Sequence, residues 1–169
     1  KYFFGLKKWL NTRQKIKAIK NADGIICISN STKSDLYKFD SSVRSKPIKV
    51  IYNGVSKDYF ETSESIPEKY ADNTRNNYFI YVGDRFEYKN FKFLIEIIKR
   101  QQKVDCILIG GGELTQEESL ALGKDKDRIH QYTGVSNEDL NILYNNARCL
   151  VFPSYYEGFG MPILEAMRS

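Results

Sequence analysis

Apolar positions recur along the chain with two different spacings. Short continuous apolar runs bounded by glycine, serine or proline read as buried strands: Gly24–Ser29, Ile48–Tyr52, Tyr78–Val82, Val104–Ile109, Ile129–Tyr132 and Leu150–Phe152. Between them the apolar residues fall at helical spacing. Residues 1–22 predict a first helix, and Thr32-x-x-Asp35 resembles a capping box that starts a second one running to about Phe39. Asn90 stands where it would cap a helix presenting Phe91, Leu94, Ile95 and Ile98 on one face. A short helix is expected after Glu113. Ser136-x-x-Asp139 opens a helix with Leu140, Leu143, Tyr144 and Ala147 inward, and Pro162 suits the first turn of a last one. Asn53-Gly54 reads as a turn, and the polar, aperiodic stretch from Glu61 to Asn77, with Pro67, as a linker. Apolar strands separated by amphipathic helices predict an α/β fold with parallel sheets covered by helices on both faces. The block from Tyr78 onward is a Rossmann-like half that stops inside a helix, so the chain reads as a fragment.

Composition narrows the function classes. With 169 residues, 41% hydrophobic and 28% charged, the chain can bury a full core and is too apolar to be disordered. No apolar run approaches the roughly 20 residues of a membrane span. Lys7 and Lys8 break the early apolar cluster, against a secretory signal. Cys27, Cys106 and Cys149 lack metal-ligand spacing and sit in apolar runs, so buried thiols in a reducing compartment are expected; one histidine, His130, builds no His-rich metal site. The net charge of +5 is concentrated at the start: Lys1, Lys7, Lys8, Arg13, Lys15, Lys17 and Lys20 precede the first acid, Asp23. No basic-aromatic nucleic-acid motif accompanies them, so nucleic acid is not expected as a partner. Tyr2, Leu6, Trp9, Leu10, Ile16 and Ile19 form an approximate helical stripe in this segment. Two readings stay open: it packs on a part of the protein outside this chain, or it also rests on an anionic membrane surface.

Open parallel sheets bind ligands beyond the carboxyl ends of their strands. Four loops lie there in the second block. In Gly83–Asn90, Arg85 and Lys89 precede a helix start and suit a diphosphate clamp; a solvated turn with an Arg–Asp pair fits equally. Gly110-Gly111-Gly112 lacks a dinucleotide fingerprint and serves either a ligand or a tight turn, while Ser136 after Thr133-Gly134-Val135 caps its own helix. The fourth loop, Pro153–Glu165, is the informative one. Gly158 and Gly160 clear space at a helix start, and Glu157 and Glu165 point carboxylates towards the strand ends, where each can accept two neighbouring sugar hydroxyls. Dipole stabilisation by acids alone leaves Gly158, Phe159 and Gly160 unexplained. Both glutamates come from one short loop, which argues against a glycosidase acid/base pair flanking a sugar bond.

Glu157 and Glu165 around Gly-Phe-Gly-Met-Pro resemble the signature of the retaining, sugar-nucleotide-dependent glycosyltransferases of family four (group 1). Ile26–Thr32, Ile51–Val55 with Phe60, Tyr81–Arg85 with Lys89-Asn90, Ile109–Gly112 and Phe152–Ser154 resemble successive elements of that family in order. The resemblance implies the GT-B architecture, two Rossmann-like domains facing across a cleft. Residues 1–55 would close the acceptor domain, 56–77 would be the interdomain linker, and 78–169 would begin the donor domain. By the same resemblance, Arg85 and Lys89 would hold the diphosphate and stabilise the leaving group, and Glu157 would contact the transferred sugar. Glu165 would accept the ribose hydroxyls, Val135 main chain would lie near the base, and Gly83, Gly158, Phe159, Gly160 and Met161 would shape the donor site. One departure stands out: many members place arginine directly after the glycine at position 83, where this chain has Asp84. The implied reaction is retaining, metal-independent hexosyl transfer from a UDP- or GDP-sugar to a saccharide or lipid-linked acceptor. It would serve bacterial surface polysaccharide synthesis, in the cytoplasm or peripherally on the membrane's inner face. A non-catalytic sugar-nucleotide-binding module is the other reading left open.

Overall fold

The computed structural model describes residues 6–71 and 77–169, with side chains from residue 12 onward. The stripe positions Tyr2, Leu6, Trp9 and Leu10 therefore lie outside the described residues and side chains. The chain divides into two compact units, Lys1–Gly54 and Val55–Ser169.

In the first unit, α1 (Leu6–Asn21) carries exposed Arg13, Lys15, Lys17 and Lys20, and Lys46 Nζ donates to the carbonyls of Lys20 (2.8 Å) and Ala22 (2.6 Å) at its end. That places a cation where the last turn leaves carbonyls unpaired. Strand β1 (Ile25–Cys27) pairs in parallel with β2 (Ile48–Val50), with Ile25 opposite Ile48, and α2 (Asn30–Phe39) connects them through a short 3-10 turn. The cap of α2 is Ser29, whose Oγ accepts from the Thr32 amide at 3.0 Å; the expected box at Thr32 is displaced by three residues because the extended backbone ends at Ser29. No turn forms at Asn53-Gly54, and Gly54 keeps negative φ.

The second unit opens with a segment that packs. The stretch 56–77 reads as a linker in sequence, yet Tyr59, Ile66 and Tyr70 are buried in the core, Tyr70 within α3 (Glu68–Ala71). Side-chain amides do the fastening: the Phe60 amide donates to Asn141 Oδ1 (3.0 Å) and the Thr62 amide to Asn145 Oδ1 (2.9 Å). Strands β3 (Tyr78–Val82), β4 (Asp105–Ile109), β5 (Ile129–Tyr132) and β6 (Cys149–Leu150) form one parallel sheet in the order β5-β4-β3-β6. Helices cover both faces. On one, α4 (Phe91–Arg100) sets Phe91, Leu94, Ile95 and Ile98 against Tyr81, Cys106 and Leu108, with Leu122 of α5 (Gln116–Leu122). On the other, α6 (Asn137–Asn146) sets Leu140, Leu143 and Tyr144 against Tyr78, Ile80, Ile107 and Ile109. Alternate strand residues thus serve opposite faces. The last helix, α7 (Met161–Arg168), carries Pro162 in its first turn.

Cys149 departs from expectation. It is exposed, because β6 lies at the sheet edge, whereas Cys27 and Cys106 are buried. Strand β6 also ends two residues before Phe152, freeing residues 151–160 to form the long loop described below.

Lys69 and Tyr70 both donate to Asp139 Oδ2 at the start of α6. Hydrogen bonding from Lys69 is the main reason the Asp139 carboxyl sits below the usual carboxylate range. A carboxyl with a lowered folded pKa stabilises the fold above its unfolded value, about 3.9, and loses that contribution as pH falls through the folded value. Asp139→Asn should therefore flatten the acid limb of stability, read as urea midpoints between roughly pH 2 and 5.

Candidate functional site

The parallel strands deliver four loops to one edge of the sheet. Gly83 N–H donates to the Ile109 carbonyl and Gly110 N–H to the Tyr132 carbonyl, both at 2.9 Å, so β3, β4 and β5 remain joined up to the point where their loops begin. Tyr81 hydroxyl donates to the Asp84 carbonyl at 2.7 Å and folds the β3–α4 loop back over its own strand.

Two further bonds clamp this loop to the one after β6. Asn90 has left-handed φ of 54° and does not cap α4 with its side chain; instead Asn90 Nδ2 donates to the Pro153 carbonyl at 3.1 Å. The Tyr155 amide donates to the Tyr88 carbonyl at 2.9 Å. As a result Lys89 Nζ lies 2.6 Å from Glu157 Oε1, with only 14% and 23% of the two side chains exposed. The Phe152 and Tyr88 rings flank the ammonium at 5.8 Å and 5.5 Å. A Cβ on Gly83 would stand 3.7 Å from Lys89 Nζ, which places Gly83, Lys89 and Glu157 in one cluster. With aromatic walls and little water, this charge pair sits in a medium that strengthens any further ionic contact.

Gly160 is the residue before α7, at φ 87°, a conformation that side chains resist, and it is packed beside the Phe152 ring. No side chain caps the start of α7; Pro162 has no N–H and the Ile163 amide donates to the Gly160 carbonyl at 3.1 Å, which leaves the Met161 amide. Gly158 and Phe159 are half-buried in the same loop.

The remaining expected residues are distributed differently. Glu165 Oε2 accepts from the Tyr144 hydroxyl at 3.1 Å, and Val135 packs half-buried against the cluster that holds Tyr144. Burial raises the Glu165 carboxyl above its usual range against the opposing Tyr144 bond; burial and then the Glu165 charge push Tyr59 up to about 12. Arg85 is held by Glu118 (Nε to Oε1, 3.0 Å) and by the carbonyls of Gly112 and Glu113. The alternative of an Arg–Asp pair in this loop is not what forms. In sequence Tyr144 reads only as core and Phe152 only as the end of a strand and a family-like element, and Glu118 does not stand out. Thr115-x-x-Glu118 is a legible capping box, and it was the available signal for Glu118. Among the described residues no three His, Cys, Asp or Glu side chains gather to hold a metal ion.

The sequence profile of the glycosyl transferases group 1 matches residues 62–169, well over half the chain. The chain belongs to this family. An O-antigen chain mannosyltransferase of Salmonella typhimurium, RfbU, is 31% identical over 90% of this chain and 41% of its own length. Among solved structures, sucrose-phosphate synthase from Thermosynechococcus elongatus superposes with a TM-score of 0.70 at 22% identity, covering 94% of this chain and 42% of that one. The Anabaena protein HepE, solved with UDP and glucose, gives 0.69 at 21% identity over 94% and 46%. These two share the fold, the GT-B α/β arrangement. The chain thus spans about two-fifths of the length of RfbU.

Proposed function

We propose that residues 78–169 form the donor-binding part of a retaining hexosyltransferase, with residues 1–55 the end of its acceptor domain. The observation that carries the reading is the Lys89–Glu157 pair against Gly83, with the Phe152 ring lying near both Lys89 and Gly160. A departing nucleoside diphosphate accumulates negative charge as the anomeric C–O bond breaks. Lys89 and the Met161 amide at the positive end of α7 supply positive charge at that point without a metal, and preorganised charge of this kind is commonly the largest catalytic contribution. Glu157 holds Lys89 in place and keeps one carboxylate oxygen for hydroxyls of the transferred sugar. Glu165, steadied by Tyr144, would take the ribose hydroxyls.

The names of two relatives, O-antigen chain mannosyltransferases, support a mannosyl donor and a place in O-antigen assembly; a UDP or GDP carrier and a saccharide or lipid-linked acceptor are part of the proposal. The test is transfer from labelled GDP- and UDP-sugars by the full-length protein. Activity that survives a chelator and produces the donor's own anomeric configuration is expected, with Glu157→Gln inactive. Full activity in Glu157→Gln would contradict the reading.

Tyr144→Phe probes the other carboxylate. It is expected to weaken binding of a nucleoside diphosphate severalfold while leaving its 2′,3′-dideoxy analogue unaffected, as read by calorimetry.

Charge segregation supports peripheral attachment to the inner membrane surface through the first unit. Residues 1–54 hold twelve basic and three acidic side chains, residues 55–169 fourteen and eighteen. No helix among the described residues is long and apolar enough to cross a membrane. Salt-sensitive flotation with anionic vesicles is the expected result.

A further inference from the structure

We infer that Arg85 is a positioning residue, which locks the Gly110–Glu113 loop in its course at the carboxyl edge instead of touching the diphosphate. The inference deepens the donor-site reading and rests on it.

The guanidinium is nearly withdrawn from solvent, with 6% of the side chain exposed, and its face lies over the Phe91 ring at 5.3 Å. Each of its three nitrogens has an acceptor: Nε donates to Glu118 Oε1 at 3.0 Å, one terminal nitrogen to the Gly112 carbonyl at 3.0 Å, and the other to the Glu113 carbonyl. Glu118 is committed on both oxygens, because Oε2 accepts the Thr115 amide at 2.7 Å as half of the capping box of α5. One carboxylate therefore ties Arg85, the start of α5 and the preceding loop together. For Arg85 to swing towards an anion, Glu118 would lose its partner in a site where only 16% of its side chain is exposed, and two carbonyls would be stripped.

The glycines record the same contact. A Cβ on Gly111 would lie 2.6 Å from an Arg85 terminal nitrogen, and φ there is +71°. The guanidinium rests flush on the backbone, so only glycine fits. The loop it fixes begins beside the site: a Cβ on Gly110 would stand 3.4 Å from the Gly83 carbonyl oxygen, and Gly83 in turn lies under Lys89. Displacement of the loop thus reaches the residue against which Lys89 packs. Lysine cannot replace this fork, since one ammonium does not span three acceptors in a plane.

The experiment pairs calorimetric titration of UDP and GDP, over a range of salt, with amide hydrogen exchange across residues 110–115. The variants are Arg85→Ala, Arg85→Lys, Glu118→Gln, Gly111→Ala and Lys89→Ala. Arg85→Lys and Arg85→Ala are expected to lose affinity alike, by roughly tenfold. Glu118→Gln and Gly111→Ala, which leave every cation in place, should lose a similar amount, and Arg85→Ala combined with Glu118→Gln no more than either alone. Exchange over 110–115 should quicken in these variants and stay unchanged in Lys89→Ala. Only Lys89→Ala should flatten the salt dependence. Wild-type affinity in Arg85→Lys, tighter binding in Glu118→Gln, or a salt dependence flattened by Arg85→Ala would overturn the inference and make Arg85 a phosphate ligand. If neither nucleotide binds the wild type, the donor reading falls alone; unchanged exchange in Arg85→Lys and Glu118→Gln then overturns the lock, and quickened exchange upholds it.

Discussion

Replacing Lys89 by alanine is expected to lower sugar transfer by the full-length protein by about 10²–10³-fold, the usual loss when one preorganised donor to a developing negative charge is removed. The size follows from placement. The ammonium is held 2.6 Å from Glu157, between the Phe152 and Tyr88 rings, so it meets a ligand already oriented and largely dehydrated. With Arg85 committed to Glu118, the proposed cationic role in this loop falls to Lys89. Lys89→Arg should recover little, because a planar fork does not fit over Gly83 where a narrow chain end lies. The same variants should leave unfolding midpoints nearly unchanged if Glu157 reaches water once its partner is gone, and steady-state kinetics beside a thermal melt would separate the two effects.

The largest effect on stability is expected at Arg128, far from the site. Its guanidinium donates to the carbonyls of Ile98 (2.6 Å), Gln101 (3.0 Å) and Val104 (2.7 Å), and to Asp125 Oδ1 (2.8 Å). Those carbonyls belong to the end of α4 and the turn after it, where the helix leaves acceptors unpaired and its dipole favours a cation. Arg128→Met keeps the buried stem and removes the donors. A loss of about 2–3 kcal/mol is expected, since several charge-assisted bonds go together and water reaches only part of the space. The urea midpoint should fall without change in slope. Arg128→Lys should restore only a fraction.

What could be read in sequence divides along a physical line. Strands Tyr78–Val82 and Ile129–Tyr132 have the expected bounds, and Phe91, Leu94, Ile95 and Ile98 are all buried, because burial on a regular element leaves a periodic trace. Gly83 and Gly160 stand out for a related reason: one lies directly beyond a strand, the other directly before a helix, and Lys89 and Glu157 lie in the loops that follow β3 and β6. Arg85 does not reveal its partner, which is 33 residues away and chosen by the side-by-side packing of two loops. The segment 56–70 hides its burial similarly. Tyr59, Ile66 and Tyr70 dock singly, Tyr59 and Tyr70 bonded to Asn137 and Asp139 of α6, and isolated anchors produce no period. Cys149 shows the reverse error: an apolar run announces a strand, but not that the strand lies at an edge.

The central claim is that the notch between the β3–α4 loop and the start of α7 grips a pyrophosphate through Lys89. Calorimetry of wild type and Lys89→Ala with UDP, GDP, the matching nucleosides and inorganic pyrophosphate tests it most directly. Binding of one nucleoside diphosphate well above its nucleoside, with that difference lost in Lys89→Ala, is predicted. Equal affinity for nucleoside and diphosphate, or an undiminished diphosphate advantage in Lys89→Ala, would contradict it.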